Sequence, residues 1–278
     1  MFLQTPDPSP YDLHLRVLGY DIRVAWTFWL GSAFFGFGLA EGMSRAPGAP
    51  GVLILLALGC LCILVSIAIH ELGHSLAFSV AGVHSHIVLY HFGGMAIPDH
   101  SVRASARGAG TDDGWSSRRS GVRRGPWIDA GIAAAGPAAQ LISAALLIAV
   151  VRASGYYVDG LWPVSVTLDG FVNDTLFGGE GESVESPVGR ALVVFYLYPS
   201  IAWAVLNLIP VFPLDGGQIC RGVTEAFGGG EAIWLWISVI AGGAAALWGL
   251  QHEHWFLAVL FASLVINNYQ WLQRSGHV

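Results

Sequence analysis

The sequence predicts an α-helical polytopic membrane protein with about six transmembrane helices and a small membrane-associated β-hairpin. Three observations carry that reading. Hydrophobic residues make up 54% of the 278 positions and charged residues 12%, against roughly 45–50% and 25% in soluble domains. Apolar segments recur at about 24–40, 51–82, 127–151, 188–209, 231–249 and 255–272, each near or above the roughly 20 residues that cross a bilayer. Between the second and third segments, Ile87-Val88-Leu89-Tyr90 and Phe92-Gly93-Gly94-Met95-Ala96 are two β-type runs around a Gly-Gly, the signature of a hairpin.

The elements follow in order. The first 23 residues are polar and irregular, and the mixed stretch Leu15–Arg23 has the composition of a strand. Val24–Ala40 follows a long region of both charges, which favours a span over a cleaved leader. In the second segment Cys60 and Cys62 are two apart and face different directions, lipid or core; with Cys220 they make no disulfide framework. Gly131, Ala135 and Gly136-Pro137 give the third segment a small-residue surface for close helix packing. Trp162, Trp255 and Trp271 suit the interfacial belts. The expected organisation is one domain over residues 1–278, with a core at about 15–220, two C-terminal spans within 231–272, and no room for a PDZ or CBS domain.

Loop charges orient the spans. All 13 basic residues are arginine. Arg103, Arg107, Arg118, Arg119, Arg123 and Arg124 crowd the stretch 98–126, whereas 152–187 has Arg152 alone against Asp159, Asp169, Asp174, Glu180, Glu182 and Glu185. The positive-inside rule puts 98–126 and both termini in the cytoplasm and 152–187 outside. The arginines then serve topology and anionic lipid.

His70-Glu71-Leu72-Gly73-His74 interrupts a stretch that has no charged residue from Ala46 to Ile69. On a helix, residues i and i+4 share a face, so His70 and His74 can grip one metal ion with Glu71 beside it. A charge at the centre of a spanning helix costs on the order of 2.5–3.5 kcal/mol on insertion scales. Three ionisable groups together need a compensating partner, and zinc fits imidazole ligands. His74 lies about 12 Å along the helix from its cytoplasmic end near Gly82, at about 1.5 Å per residue.

A catalytic zinc takes three protein ligands and keeps one position open. The third candidate is Asp215, in Asn207-Leu208-Ile209-Pro210-Val211-Phe212-Pro213-Leu214-Asp215-Gly216-Gly217. Pro210 and Pro213 each remove a backbone donor and push the preceding residue toward extended geometry, so the helix must unwind. Irregular backbone at membrane depth is tolerated only where it is buried in protein or lines a wet cavity. Asn207 is then either a helix C-cap or a substrate contact. Among the hairpin histidines, His84 and His86 share a strand face and suit an interfacial position, as do His91 and His100.

These motifs resemble the site-2 protease family of intramembrane zinc metalloproteases. His70-Glu71-Leu72-Gly73-His74 matches its first motif and Asn207…Pro210…Pro213-Leu214-Asp215-Gly216 its second; Phe92-Gly93-Gly94-Met95-Ala96 and Ala135-Gly136-Pro137 look like further family features. Two positions depart from the family's pattern: Ala25-Trp26 where His-Pro is frequent, and Gln140 where Asn is frequent. The resemblance implies one Zn²⁺ on His70, His74 and Asp215, Glu71 as the general base, and Asn207, Gly93 and Gly94 near substrate or oxyanion. It implies a transmembrane protein or peptide as substrate, cleaved within the lipid bilayer, and no nucleic-acid partner; the compact chain and the absence of a targeting sequence favour a prokaryotic plasma membrane. Two other classes use the same residues. A non-catalytic scaffold has no need of Glu71. A zinc transporter needs a second intramembrane acidic or histidine site along a path, which the sequence does not offer. Six spans exclude a soluble thermolysin-like protease.

The charge asymmetry makes the topology testable. A cysteine placed at Gly110 is expected to react with an impermeant thiol reagent only from the cytoplasm, and one at Gly178 only from outside. The opposite labelling inverts the assignment.

Overall fold

The structure, a computed structural model, describes residues 6–91, 93–99, 125–158, 172–173, 179 and 181–276. Phe92, His100, Trp162, the six arginines of 103–124 and Asp159, Asp169, Asp174 and Glu180 lie outside the described residues. Strands β1 (Leu13–Val17) and β2 (Tyr20–Val24) precede helices α1 (Trp26–Ser44) and α2 (Val52–Val80). Strands β3 (Ser85–Tyr90) and β4 (Gly93–Pro98) follow, then α3 (Pro126–Ala153), α4 (Pro187–Leu208), α5 (Asp215–Ala226), α6 (Glu231–Gln251) and α7 (Trp255–Arg274).

Five of these helices, α2, α3, α4, α6 and α7, are long and apolar enough to cross a membrane. The sixth expected segment forms α1, whose composition falls short of that mark. Its 19 residues include Trp26, Trp29, Gly31, Gly36, Gly38, Gly42 and Glu41, which dilute the aliphatic content. Helix α5 is an addition: a short amphipathic helix that starts at Asp215 and carries Gly216-Gly217 in its first turn.

The expected hairpin is part of a larger element, a four-stranded sheet in the order β1-β2-β3-β4. Leu15–Arg23 is two antiparallel strands rather than one, joined at Leu18-Gly19 with φ of 51° and 91°. Positive φ at both central residues is what a right-twisted two-residue hairpin requires. Strand β2 then pairs in parallel with β3, Ile22 opposite Ile87 and Val24 opposite Leu89. Parallel neighbours need a long crossover, which α1 and α2 supply.

Two compact units arise from this order. The first comprises Met1–Ser75, His86–Ile97 and Ala138–Ala204. Its core packs Ile22, Val24, Ile87 and Leu89 of the sheet against Phe28 and Ile67, with Leu72 at its margin. The sheet thus presses on the turn of α2 that carries the His-Glu-x-x-His motif. At the start of α1, Asp12 accepts hydrogen bonds from the Trp26 amide at 3.2 Å and the Arg23 guanidinium at 2.9 Å. Desolvation pushes that carboxyl's pKa up, and the bonds from Ser9, Trp26 and Arg23 outweigh it to leave a net lowering.

The second unit comprises Leu76–Ser85, Pro98–Pro137 and Val205–Val278. Trp234, Leu235 and Leu272 form its core with Phe212 and Cys220. The rings of Phe212, Trp234 and Trp271 stand 5.4–5.6 Å apart in edge and tilted contacts. Phe212 belongs to the proline-broken segment between α4 and α5, so this aromatic cluster fastens the stretch that leads to Asp215.

Candidate metal centre

Helix α2 carries His70, Glu71 and His74 with relative exposures of 2%, 4% and 7%. One helical turn sets the two imidazoles face to edge, ring centroids 4.9 Å apart. Their Nε2 atoms are 3.2 Å apart. Two lone pairs cannot share that separation unless a proton or a cation stands between them. Ligand atoms at about 2.0–2.1 Å from a tetrahedral zinc lie about 3.3 Å from each other, so the spacing suits a shared metal.

Asp215 opens α5, and its side chain is buried. The ligand-capable atoms of His70, His74 and Asp215 all lie within 4.8 Å of one another, and the three form the one such group of His, Cys, Asp or Glu among the described residues. Two imidazoles and one carboxylate make a donor set that suits zinc with one position left open. The segment before Asp215 unwinds as its prolines require, from Ile209 to Leu214. It closes on itself through Val211 N–H to Ile209 O at 2.7 Å and Leu214 N–H to Val211 O at 2.9 Å. A Cβ on Gly217 would stand 2.5 Å from the Val211 carbonyl carbon, so that glycine serves the loop's own tight closure. The Phe212 amide donates to Ser238 Oγ at 3.1 Å, and Asn268 Nδ2 donates to the Phe212 carbonyl at 2.7 Å. Both backbone groups of Phe212, freed from helical pairing, are thereby satisfied by α6 and α7.

Gly94 lies against Glu71: a Cβ there would come within 2.5 Å of Glu71 Cγ and 2.7 Å of its Oε1. Gly93, with φ of +124°, lies against Trp203, whose Cζ2 would be 2.6 Å from an added Cβ. Asn207 is buried in the last turn of α4. His91 Nδ1 is 3.3 Å from Thr27 Oγ1 and takes no part in the metal group.

Sequence reasoning missed three polar residues. Gln140, noted only as a departure from a family pattern, is fully buried on α3 with Oε1 3.0 Å from His70 Nδ1. Its Nε2 donates to Ser66 Oγ at 2.8 Å, and Ser66 Oγ is 2.7 Å from Ser200 Oγ. A serine in an apolar helix is unremarkable, so no local signal distinguishes these two. The available signal was Gln140 itself, a large amide in the middle of an apolar span.

Residues 58–241, more than half of the chain, match the model of peptidase family M50. The chain belongs to that family, the site-2 proteases. It is 25% identical over 214 residues to "Putative zinc metalloprotease sll0528" of Synechocystis sp.. That match covers 76% of this chain and 42% of the relative, so the chain spans less than half of the relative's length. The fold is similar to the site-2 protease from Methanocaldococcus jannaschii, with 20% identity, 94% of each chain covered and a TM-score of 0.47. Five apolar helices in a family of membrane proteases make this a multi-pass membrane protein.

Elemental analysis of the purified chain is expected to find one zinc, removable by chelation. Loss of a residue that only supports a zinc ligand costs about 10–100-fold in affinity, and Asp215→Ala is expected to cost at least as much. A variant that held zinc as tightly as the parent would remove Asp215 from the ligand set.

Proposed function

We propose that this chain is an intramembrane zinc endopeptidase that cleaves transmembrane segments of other membrane proteins in regulated proteolysis. The observation that carries the reading is the contact of Glu71 with the backbone of β4 at Gly94. Strand β4 is an edge of the sheet, and a base placed beside a strand edge stands where an added strand would run.

His70, His74 and Asp215 would hold the metal. Zinc bound there supplies a Lewis acid for the scissile carbonyl and lowers the pKa of water toward about 7. Glu71 takes the proton from the attacking water and passes it to the leaving amine. Burial keeps its carboxylate out of competition with bulk water. Asn207 and the backbone at Gly93-Gly94 orient the substrate carbonyl.

A helical substrate must unwind to present a peptide bond, and its freed backbone groups then need partners. Strand addition supplies them. As an isolated hairpin, residues 87–96 would leave Val88 and Leu89 on an edge, but β3 is interior, with those residues paired to Arg23 and Val24. The edge beyond β3 belongs to β4. The Asp99 amide bonds the His84 carbonyl at 2.8 Å, and antiparallel alternation from that pair turns the amides of Gly94 and Ala96 outward. We place the protein in a prokaryotic plasma membrane, both termini cytoplasmic, with a transmembrane protein or peptide as its partner.

The base is tested by Glu71→Gln, which is expected to keep zinc and fold while losing cleavage of a reconstituted membrane substrate. Cleavage at the parent rate would remove Glu71 from the chemistry. The edge is tested at Ala96. Proline there deletes an outward donor and is expected to cut cleavage at unchanged zinc content, whereas serine keeps the donor and is expected to be mild. Equal effects of the two would mean that side-chain packing, not main-chain pairing, matters at β4.

A further inference from the structure

Three side chains connect His70 to a backbone carbonyl, and they and His70 are almost wholly shielded from water. Gln140, Ser66 and Ser200 have relative exposures of 0% and His70 of 2%. Starting from the far end, Ser200 Oγ is 2.5 Å from the Tyr196 carbonyl. A carbonyl only accepts, so the single hydroxyl proton of Ser200 is committed to it. Ser200 Oγ can therefore only accept from Ser66, 2.7 Å away, which commits the proton of Ser66. Ser66 Oγ in turn can only accept from Gln140, at 2.8 Å.

This order decides which end of the Gln140 amide faces which partner. Rotated by half a turn, its oxygen would face a serine oxygen with no proton left to give, and two buried acceptors would confront each other. The nitrogen therefore faces Ser66 and Oε1 faces His70 Nδ1, at 3.0 Å. A carbonyl oxygen there requires a proton on Nδ1. Nε2 is left with its lone pair, and Nε2 is the atom 3.2 Å from its counterpart on His74.

We propose that Gln140 is a positioning residue that holds His70 in the Nδ1–H tautomer, so that Nε2 is a ready metal ligand before any metal arrives. The proposal rests on the metalloprotease reading for its use but not for its test. Ligating imidazoles commonly donate their second N–H to a carboxylate or carbonyl, and removing that partner lowers metal affinity by about 10–100-fold. In this chain a neutral amide takes the part, and its direction is imposed by a carbonyl four side-chain links from the metal-facing nitrogen.

The test uses the full chain in detergent micelles. ¹⁵N NMR of the zinc-free protein is expected to show His70 protonated at Nδ1, and protonation at Nε2 overturns the proposal. Zinc affinity is then compared by chelator competition. Gln140→Met fills the same space without hydrogen bonding and is expected to bind zinc about 10–100-fold more weakly. Gln140→Glu in its neutral carboxylic form keeps both contacts, accepting from Nδ1–H with its carbonyl oxygen and donating its O–H to Ser66, and is expected to recover most of that loss. A methionine variant with parental affinity would show that Gln140 only fills space, and the proposal falls. If the methionine variant does not fold, the glutamate variant and the zinc-free spectrum still decide. Were the parent chain to bind no zinc, the metalloprotease reading would fail, while the tautomer would still be read directly.

Discussion

A carboxylate or imidazole inside an apolar span is held only by partners that the protein itself supplies, because hydrocarbon offers none. Everything around α2 follows from that constraint. Three ionisable groups occupy five consecutive positions of a helix that is otherwise aliphatic, and a single cation meets most of their needs at once. Buried sites of this kind also set the terms for their surroundings. A ring nitrogen that does not face the metal must still be satisfied, and so must every backbone group that a proline sets free.

The sheet answers a related demand. A base that acts on an extended backbone needs that backbone delivered as a strand, and a strand at membrane depth is stable only if something pairs with it. Helices cannot offer that pairing; a sheet edge can. The parallel β2–β3 pair requires the α1–α2 crossover between its strands, so the chain cannot build the sheet without also bringing α2 against it. Ile67 and Leu72 of α2 share the core of Ile22, Val24, Ile87 and Leu89. The glycine at position 94 then permits a backbone-to-carboxylate approach that any side chain would block.

Much of this was legible in the sequence, and unevenly so for physical reasons. His70, Glu71, His74 and Asp215 stood out because charge in an apolar run is expensive, so its presence is informative. The long spans were legible because bilayer thickness dictates their length. The Leu18-Gly19 turn was not, since Leu is a poor candidate for positive φ and only the sheet's twist makes it adopt one. Helix α5 was not legible, because Gly216-Gly217 lowers the local helix propensity even though both glycines serve close backbone packing there. Gln140, Ser66 and Ser200 act through contacts between residues 74 and 134 positions apart. Short polar side chains on separate helices carry no pattern that a local reading can find.

The region beyond residue 241 lies outside the family match, yet Asn268 of α7 holds the carbonyl of Phe212. Phe212 is three residues before Asp215, and Pro213 between them has no amide to contribute. The unwound segment therefore cannot satisfy itself by regular pairing. Ser238 and Asn268 take the two groups that helix breakage exposes, and the Phe212–Trp234–Trp271 aromatic cluster closes over them. A carboxylate on such a segment is only as well placed as the backbone that carries it. By that argument the last two helices are part of the candidate metal centre's support, although neither contributes a residue to the group of possible ligands.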